Sequence, residues 1–284
     1  MRDTYRNHAG AGRVRAWCQK VLSEWSTPHT VRELETSLGP TAIVEAGDGP
    51  DLCVYLPGAN YNASTSLPLI DALAASCRVW AVDLPGQPGL SAAGRPDRLG
   101  EHGPWVREVL LAARRAHPDA RIVLVGLSRG AAVALLAPPD LVEALALVSP
   151  GGLMAVHPSF RMAALGLRWS LERSAGASHS LLSWMAATGR HPLPEHVEWM
   201  TLVAQTSRLT LAPDACPRPT LERWRGRKVG VIVGAEDVFF PSAQLRDASV
   251  DMVGVTPVVV PWSGHLLFSE DPGRVAEAVA HLLK

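Results

Sequence analysis

Short apolar runs alternate with stretches of helical periodicity along most of the chain. Thr41 to Glu45 and Leu52 to Leu56 flank Asp48-Gly49-Pro50, a turn signal, and predict two strands. Arg78 to Asp83 predicts a third, which stops at Leu84-Pro85-Gly86. Arg121 to Gly126 and Ala144 to Ser149 are almost wholly apolar, as strands are when a parallel sheet buries both of their faces. Val229 to Val233 and Pro257 to Pro261 resume the pattern near the end. Between these runs, Arg13 to Trp25, Leu67 to Ala75, Trp105 to Ala116, Ala131 to Ala137 and Val275 to Leu283 read as helices. Alternating strands and helices predict an α/β fold with a mostly parallel central sheet flanked by helices.

The rhythm breaks between Gly151 and Gly226, where β-branched runs are lacking and several helical pieces follow one another. Trp169, Trp184 and Trp199 recur there every fifteen residues, but the flanking sequence does not repeat, so the spacing is no repeat signal. The expected organisation is an N-terminal helical segment (1–40), a core (41–150 and 227–284) and a helical insert (151–226). Such an insert would lie over the carboxyl edge of the sheet, where open α/β folds bind ligands.

The 284 residues carry 27 basic and 27 acidic side chains, so no basic excess points to nucleic acid. No run of about 20 apolar residues predicts a membrane span. The first twenty residues hold several charges and no apolar run, so a signal peptide is not expected. Cys18, Cys53, Cys77 and Cys216 are scattered, with no C-x-x-C pair, which predicts buried thiols in a reducing compartment and a cytoplasmic protein. No metal site or cofactor is expected. Oligomeric state leaves no signal.

Three short pieces carry candidate chemistry. Gly126-Leu127-Ser128-Arg129-Gly130 follows an apolar strand and precedes a small-residue helix, the context of a sharp turn that lifts a serine hydroxyl out of the backbone. A side chain at Gly126 or Gly130 would crowd that turn. Gly234-Ala235-Glu236-Asp237 follows another strand, and Gly264-His265 lies beyond the last one. Ser128 would be the nucleophile, His265 its base and Asp237 the acid that orients the imidazole, with Gly264 giving the loop freedom to aim it. Glu236 is the competing acid. Acyl transfer also needs two donors where negative charge develops. The backbone N–H groups of Arg129 and Ala59 are the candidates, the latter in Leu56-Pro57-Gly58-Ala59-Asn60-Tyr61-Asn62. The Asn60 side chain is expected mainly to stabilise its turn.

With these motifs the chain resembles the α/β-hydrolase fold superfamily from about Thr41 to Lys284. It is most similar to the small, lidded, cofactor-free bacterial esterases and hydrolases. Asp83-Leu84-Pro85-Gly86-Gln87-Pro88-Gly89-Leu90-Ser91 resembles the D-x-x-G-x-G-x-S loop of that group, with one extra residue. Pro57 stands where a histidine usually precedes the oxyanion glycine, and Leu127 replaces the usual histidine before the nucleophile. The resemblance implies an α/β-hydrolase fold with a lid inserted after strand 6. It also implies a serine hydrolase that cleaves a carboxylic ester, thioester or lactone of a small molecule. A cofactor-free carbon–carbon hydrolase, lyase or cyclase uses similar parts, and a non-catalytic binding protein can share the fold. Asn60, Trp169, Trp184, Phe239, Phe240 and Leu266 are the expected pocket residues.

Overall fold

Alternate residues of the apolar runs enter two separate cores, one on each face of a single sheet. The computed structural model describes residues 2–156, 159–210 and 215–284. The sheet's strands are β1 (His29–Leu34), β2 (Thr41–Ala46), β3 (Leu52–Leu56), β4 (Arg78–Val82), β5 (Ile122–Leu127), β6 (Ala144–Val148), β7 (Val229–Gly234) and β8 (Val258–Val260). Their order is β8-β7-β6-β5-β3-β4-β2-β1. The six strands from β8 to β4 are parallel, while β2 and β1 run antiparallel at one edge. β3, β5 and β6 are buried along their whole length. Cys53 and Tyr55 of β3 join one core and Leu52, Val54 and Leu56 the other, the two-residue period of a strand covered on both sides.

The first core is closed by α1 (His8–Glu24), α2 (Leu67–Ala74) and, at the chain's end, α11 (Pro272–Leu282). The second is closed by α3 (His102–Ala116), α4 (Arg129–Ala134) and α9 (Ser242–Val253). Segment 1–40 was expected to be helical, yet it also contributes β1. That strand's four central residues are exposed at the sheet edge, so the segment lacks the apolar run by which the other strands are read. With β1 counted, Ala144–Val148 is the sixth strand, and the insert follows it.

The insert supplies α5 (Phe160–Glu172), α6 (Ala175–Met185), α7 (Pro194–Thr206) and α8 (Arg218–Glu222). Ser159 and Ser174 cap α5 and α6 by accepting the N–H groups of Met162 and Ala177. Residues 157–158 and 211–214 of the insert lie outside the described residues. Its last stretch is not part of the cover over the sheet edge: Cys216, Leu221 and Trp224 are buried in the second core, and the Trp224 indole N–H donates to the Leu135 carbonyl. Helix α1 braces α7 from outside, with Trp17 against Trp199 at 4.7 Å and the Trp17 indole N–H on Glu198. Among the described residues, no helix is long and apolar enough to cross a membrane.

Candidate active site

The loops after β3, β5, β7 and β8 all leave the same carboxyl edge of the sheet, and they carry the candidate residues together. Ser128 follows β5 directly and has φ 49° and ψ −110°, a strained conformation for a residue with a side chain. The tight turn is held by the Ser128 N–H on the Val148 carbonyl at 2.9 Å. A Cβ on Gly126 would lie 2.5 Å from the Cα of Ala131, and one on Gly130 would run into the Leu56 carbonyl. Both glycines are therefore demanded by crowding, as the sequence pattern suggested.

His265 Nε2 lies 3.2 Å from Ser128 Oγ, and His265 Nδ1 lies 2.9 Å from Asp237 Oδ2. Asp237 Oδ1 accepts the backbone N–H groups of Phe239 and Phe240 at 2.9 and 3.0 Å. The carboxylate is thus fixed at both oxygens, and its side chain is fully buried. Phe239 and Phe240 also flank the imidazole, with ring centroids 4.6 and 5.8 Å away. Glu236 points elsewhere: its Oε2 accepts the N–H and hydroxyl of Thr188 at 2.8 and 2.6 Å. Those bonds hold its carboxyl below the usual carboxylate range.

The insert reaches these loops at a second point. Glu270, on the short helix α10 (Leu267–Glu270), accepts the N–H of Gly264 at 2.6 Å and that of Ala187 at 2.7 Å. The His265 N–H donates to the Met185 carbonyl at 2.8 Å. A Cβ on Gly264 would stand 2.5 Å from that carbonyl oxygen and 2.8 Å from Ala186 C. Gly264 was expected to free the loop; the structure shows instead that it lets the end of α6 come close. Two carboxylates, Glu236 and Glu270, therefore tie the residues after α6 to the loops bearing Asp237 and His265.

A sequence profile of the alpha/beta hydrolase family matches residues 53–278. The chain belongs to that family. Among solved structures, this alpha/beta hydrolase is similar to the carboxylesterase CesB (YbfK) of Bacillus subtilis, at 20% identity and a TM-score of 0.77 over 97% of this chain and 98% of that one. The naproxen esterase (carboxylesterase NP) of Bacillus subtilis is similar at 18% identity and a TM-score of 0.77, over 98% and 100%. A thermophilic esterase of Thermogutta terrifontis is similar at 18% identity and a TM-score of 0.64, over 89% and 98%. Likenesses at this identity show a shared fold. No curated protein matches the sequence.

Beside Ser128 and His265 the hydrolase holds a cavity of about 450 Å³. Ala59, Asn60, Trp169, Phe239, Phe240 and Leu266 line it. Trp184 does not. It lies edge-on behind Phe239, with ring centroids 5.3 Å apart, so it supports the wall without facing the cavity. Most of the remaining lining is apolar and comes from α5, α6 and α7, including Met162, Leu181, Met185 and Met200. Arg129 is the first residue of α4 and directly follows Ser128. Asn60 adopts φ 64°, and its N–H donates to Gln87 Oε1 at 2.9 Å, leaving the preceding residue, Ala59, as the oxyanion-loop candidate.

Gln87 and Glu270 escaped the sequence reading. For Gln87 the signal was present in the Asp83–Ser91 loop, which carries one extra residue. The buried Gln87 side chain accepts the Asn60 N–H. Glu270 looked like an ordinary residue before a helix, because its partners are backbone groups 6 and 83 positions away.

Proposed function

We propose that the protein is a serine hydrolase that cleaves carboxylic esters through an acyl-enzyme. The observation that carries this reading is the continuous path from Asp237 Oδ2 through His265 to Ser128 Oγ, with contacts of 2.9 and 3.2 Å. Ser128 Oγ attacks the ester carbonyl while His265 Nε2 takes its proton. Asp237 holds the tautomer with hydrogen on Nδ1 and stabilises the imidazolium. The N–H groups of Arg129 and Ala59 receive the oxyanion. The imidazolium then gives its proton to the departing alcohol oxygen, leaving an ester on Ser128. Water, deprotonated by His265, attacks that ester. Collapse releases the acid and returns the proton to Oγ. Thioesters and lactones pass through the same steps.

The apolar cavity supports a substrate with a hydrophobic body, and residues 151–156 and 159–210 serve as its lid. The intact mass after exposure to a fluorophosphonate tests the reading. One adduct on the wild type and none on Ser128→Ala is expected, followed by turnover of an ester panel. A folded wild type that takes no label and cleaves no ester would overturn it.

A further inference from the structure

The turn after β3 is held from outside itself. Gly58 to Tyr61 form it, with the Tyr61 N–H on the Gly58 carbonyl at 3.2 Å. Asn60 is its third residue and has φ 64°, a conformation that favours asparagine or glycine. The Asn60 side-chain oxygen was expected to stabilise this turn, yet it is buried with no partner among the described residues. Two side chains from elsewhere fix the Asn60 backbone instead. Gln87 Oε1 accepts the Asn60 N–H at 2.9 Å, and the Trp199 indole N–H donates to the Asn60 carbonyl at 2.6 Å. The Trp199 ring is fully buried, and Trp17 packs against it. Three residues earlier on α7, His196 Nε2 donates to the Thr65 carbonyl at 2.9 Å, so one face of this helix grips the loop twice.

We infer that Trp199 is a positioning residue for the oxyanion donor, acting through the Asn60 backbone. This rests on the serine-hydrolase reading and deepens it: a side chain of the insert sets the oxyanion hole. A trans peptide is planar, and its carbonyl and N–H point opposite ways. The Gly58 carbonyl points into the turn at the Tyr61 N–H, so the Ala59 N–H of the same peptide points out of it. Gln87 pins the next peptide and Trp199 the one after. A Cβ on Gly58 would stand 3.5 Å from the Ser128 Cβ, so the turn begins beside the nucleophile, and Ala59 and Ser128 share the cavity. A left-handed residue persists only where its surroundings over-determine it, and the Trp199 bond is one of the restraints on Asn60. Without that bond the turn relaxes and the Ala59 N–H loses its aim. An oxyanion donor acts by being aimed before charge develops. The loss therefore falls on the transition state and spares the binding of the neutral ester.

The test measures Ki for trifluoromethyl hexyl ketone and methyl hexyl ketone, with kcat and KM for ethyl hexanoate, in wild type and Trp199→Phe. Ser128 Oγ adds to the carbonyl carbon of the fluorinated ketone, its proton passes to His265 Nε2, and the carbonyl oxygen becomes an oxyanion. The methyl ketone occupies the pocket without adding. Phenylalanine keeps an aromatic ring and removes the N–H. The fluorinated-ketone Ki is expected to rise about tenfold and kcat to fall about tenfold, less than the loss of a whole oxyanion donor. The methyl-ketone Ki and KM should stay within about twofold of wild type. Should Trp199→Phe fail to fold, Trp199 replaced by its benzothiophene analogue keeps the shape with sulfur in place of the N–H, and the same shifts are expected. Two Ki values that move together, or neither moving, would overturn the positioning role, as would a loss confined to KM. Fluorophosphonate labelling of wild type separates the two readings. A labelled wild type with equal Ki shifts in the variant loses the positioning role alone. An unlabelled wild type that binds both ketones alike loses both.

Discussion

Gly264 and Met185 meet backbone to backbone: a Cβ at 264 would stand 2.5 Å from the Met185 carbonyl oxygen, the acceptor of the His265 N–H. Neither atom is the end of a flexible side chain, so an added methyl group must push the histidine loop and the end of α6 apart. Gly264→Ala is expected to lower kcat/KM for esters by about a hundredfold or more, the cost of misplacing a reacting group by roughly 1 Å. Steady-state kinetics on the folded variant checks this. Wild-type rates would show that the contact yields without moving His265.

Glu270 makes the same junction with charge. Its two oxygens take one N–H from each side, Gly264 and Ala187. Glu270→Ala removes both bonds, while Glu270→Gln leaves one acceptor oxygen. We expect kcat to fall by about tenfold to a hundredfold in the alanine variant and less in the glutamine variant, with KM changing little. A loss confined to KM would assign Glu270 to the pocket and not to the placing of His265.

The two neighbouring carboxylates on the acid loop divide their work. Asp237→Asn preserves shape but holds the imidazole in the wrong tautomer, and is expected to lower kcat by about 10⁴-fold. Glu236→Gln still accepts from Thr188 and is expected to stay within about tenfold of wild type. If the second variant is the dead one, the acid has been misassigned.

Asp83 gives a dependence on pH. It is buried and accepts the N–H groups of Ala63 and Leu90 at 2.8 and 2.9 Å, joining the loop after β3 to the Asp83–Ser91 loop. Burial raises its carboxyl from 3.8 to about 6, against the lowering effect of those two donors. The native state then holds this proton more tightly than the unfolded chain. Its stabilising effect is complete below pH 3.8, is lost as pH rises to about 6, and is flat above that. The loss amounts to about 3 kcal/mol. Urea unfolding of wild type and Asp83→Asn at pH 4 and pH 7 isolates the group. The stability of wild type relative to the variant should fall between the two, and an identical difference at both values would refute the shift.

Much of this was legible in the sequence, because strands buried on both faces announce themselves as continuous apolar runs. Val54 and Tyr55 serve opposite cores, yet both must be apolar, and the run shows it. Ser128, Asp237 and His265 were legible because each follows an apolar run by a few residues. β1 was not, since His29–Leu34 is largely exposed and its partner β2 supplies the burial. The reason for Gly264 was misread because what crowds it is backbone 79 positions earlier, and a glycine looks the same whether it frees a turn or admits a neighbour. Trp184 was placed one layer too far in, because composition tells that an aromatic is buried and not which wall it backs.

Helix α5 stands apart from the double carboxylate tie. Trp169 is its one fully buried residue, while Phe160, Leu167 and Leu171 are exposed at 92%, 60% and 70%. Met162, Gly166, Leu167 and Ser170 of the same helix border the cavity. The insert is thus divided into a part fastened to the reacting groups and a part that only shapes the opening. Random mutagenesis confined to residues 159–173 can therefore explore which molecules are admitted while the machinery that cuts them stays as inherited.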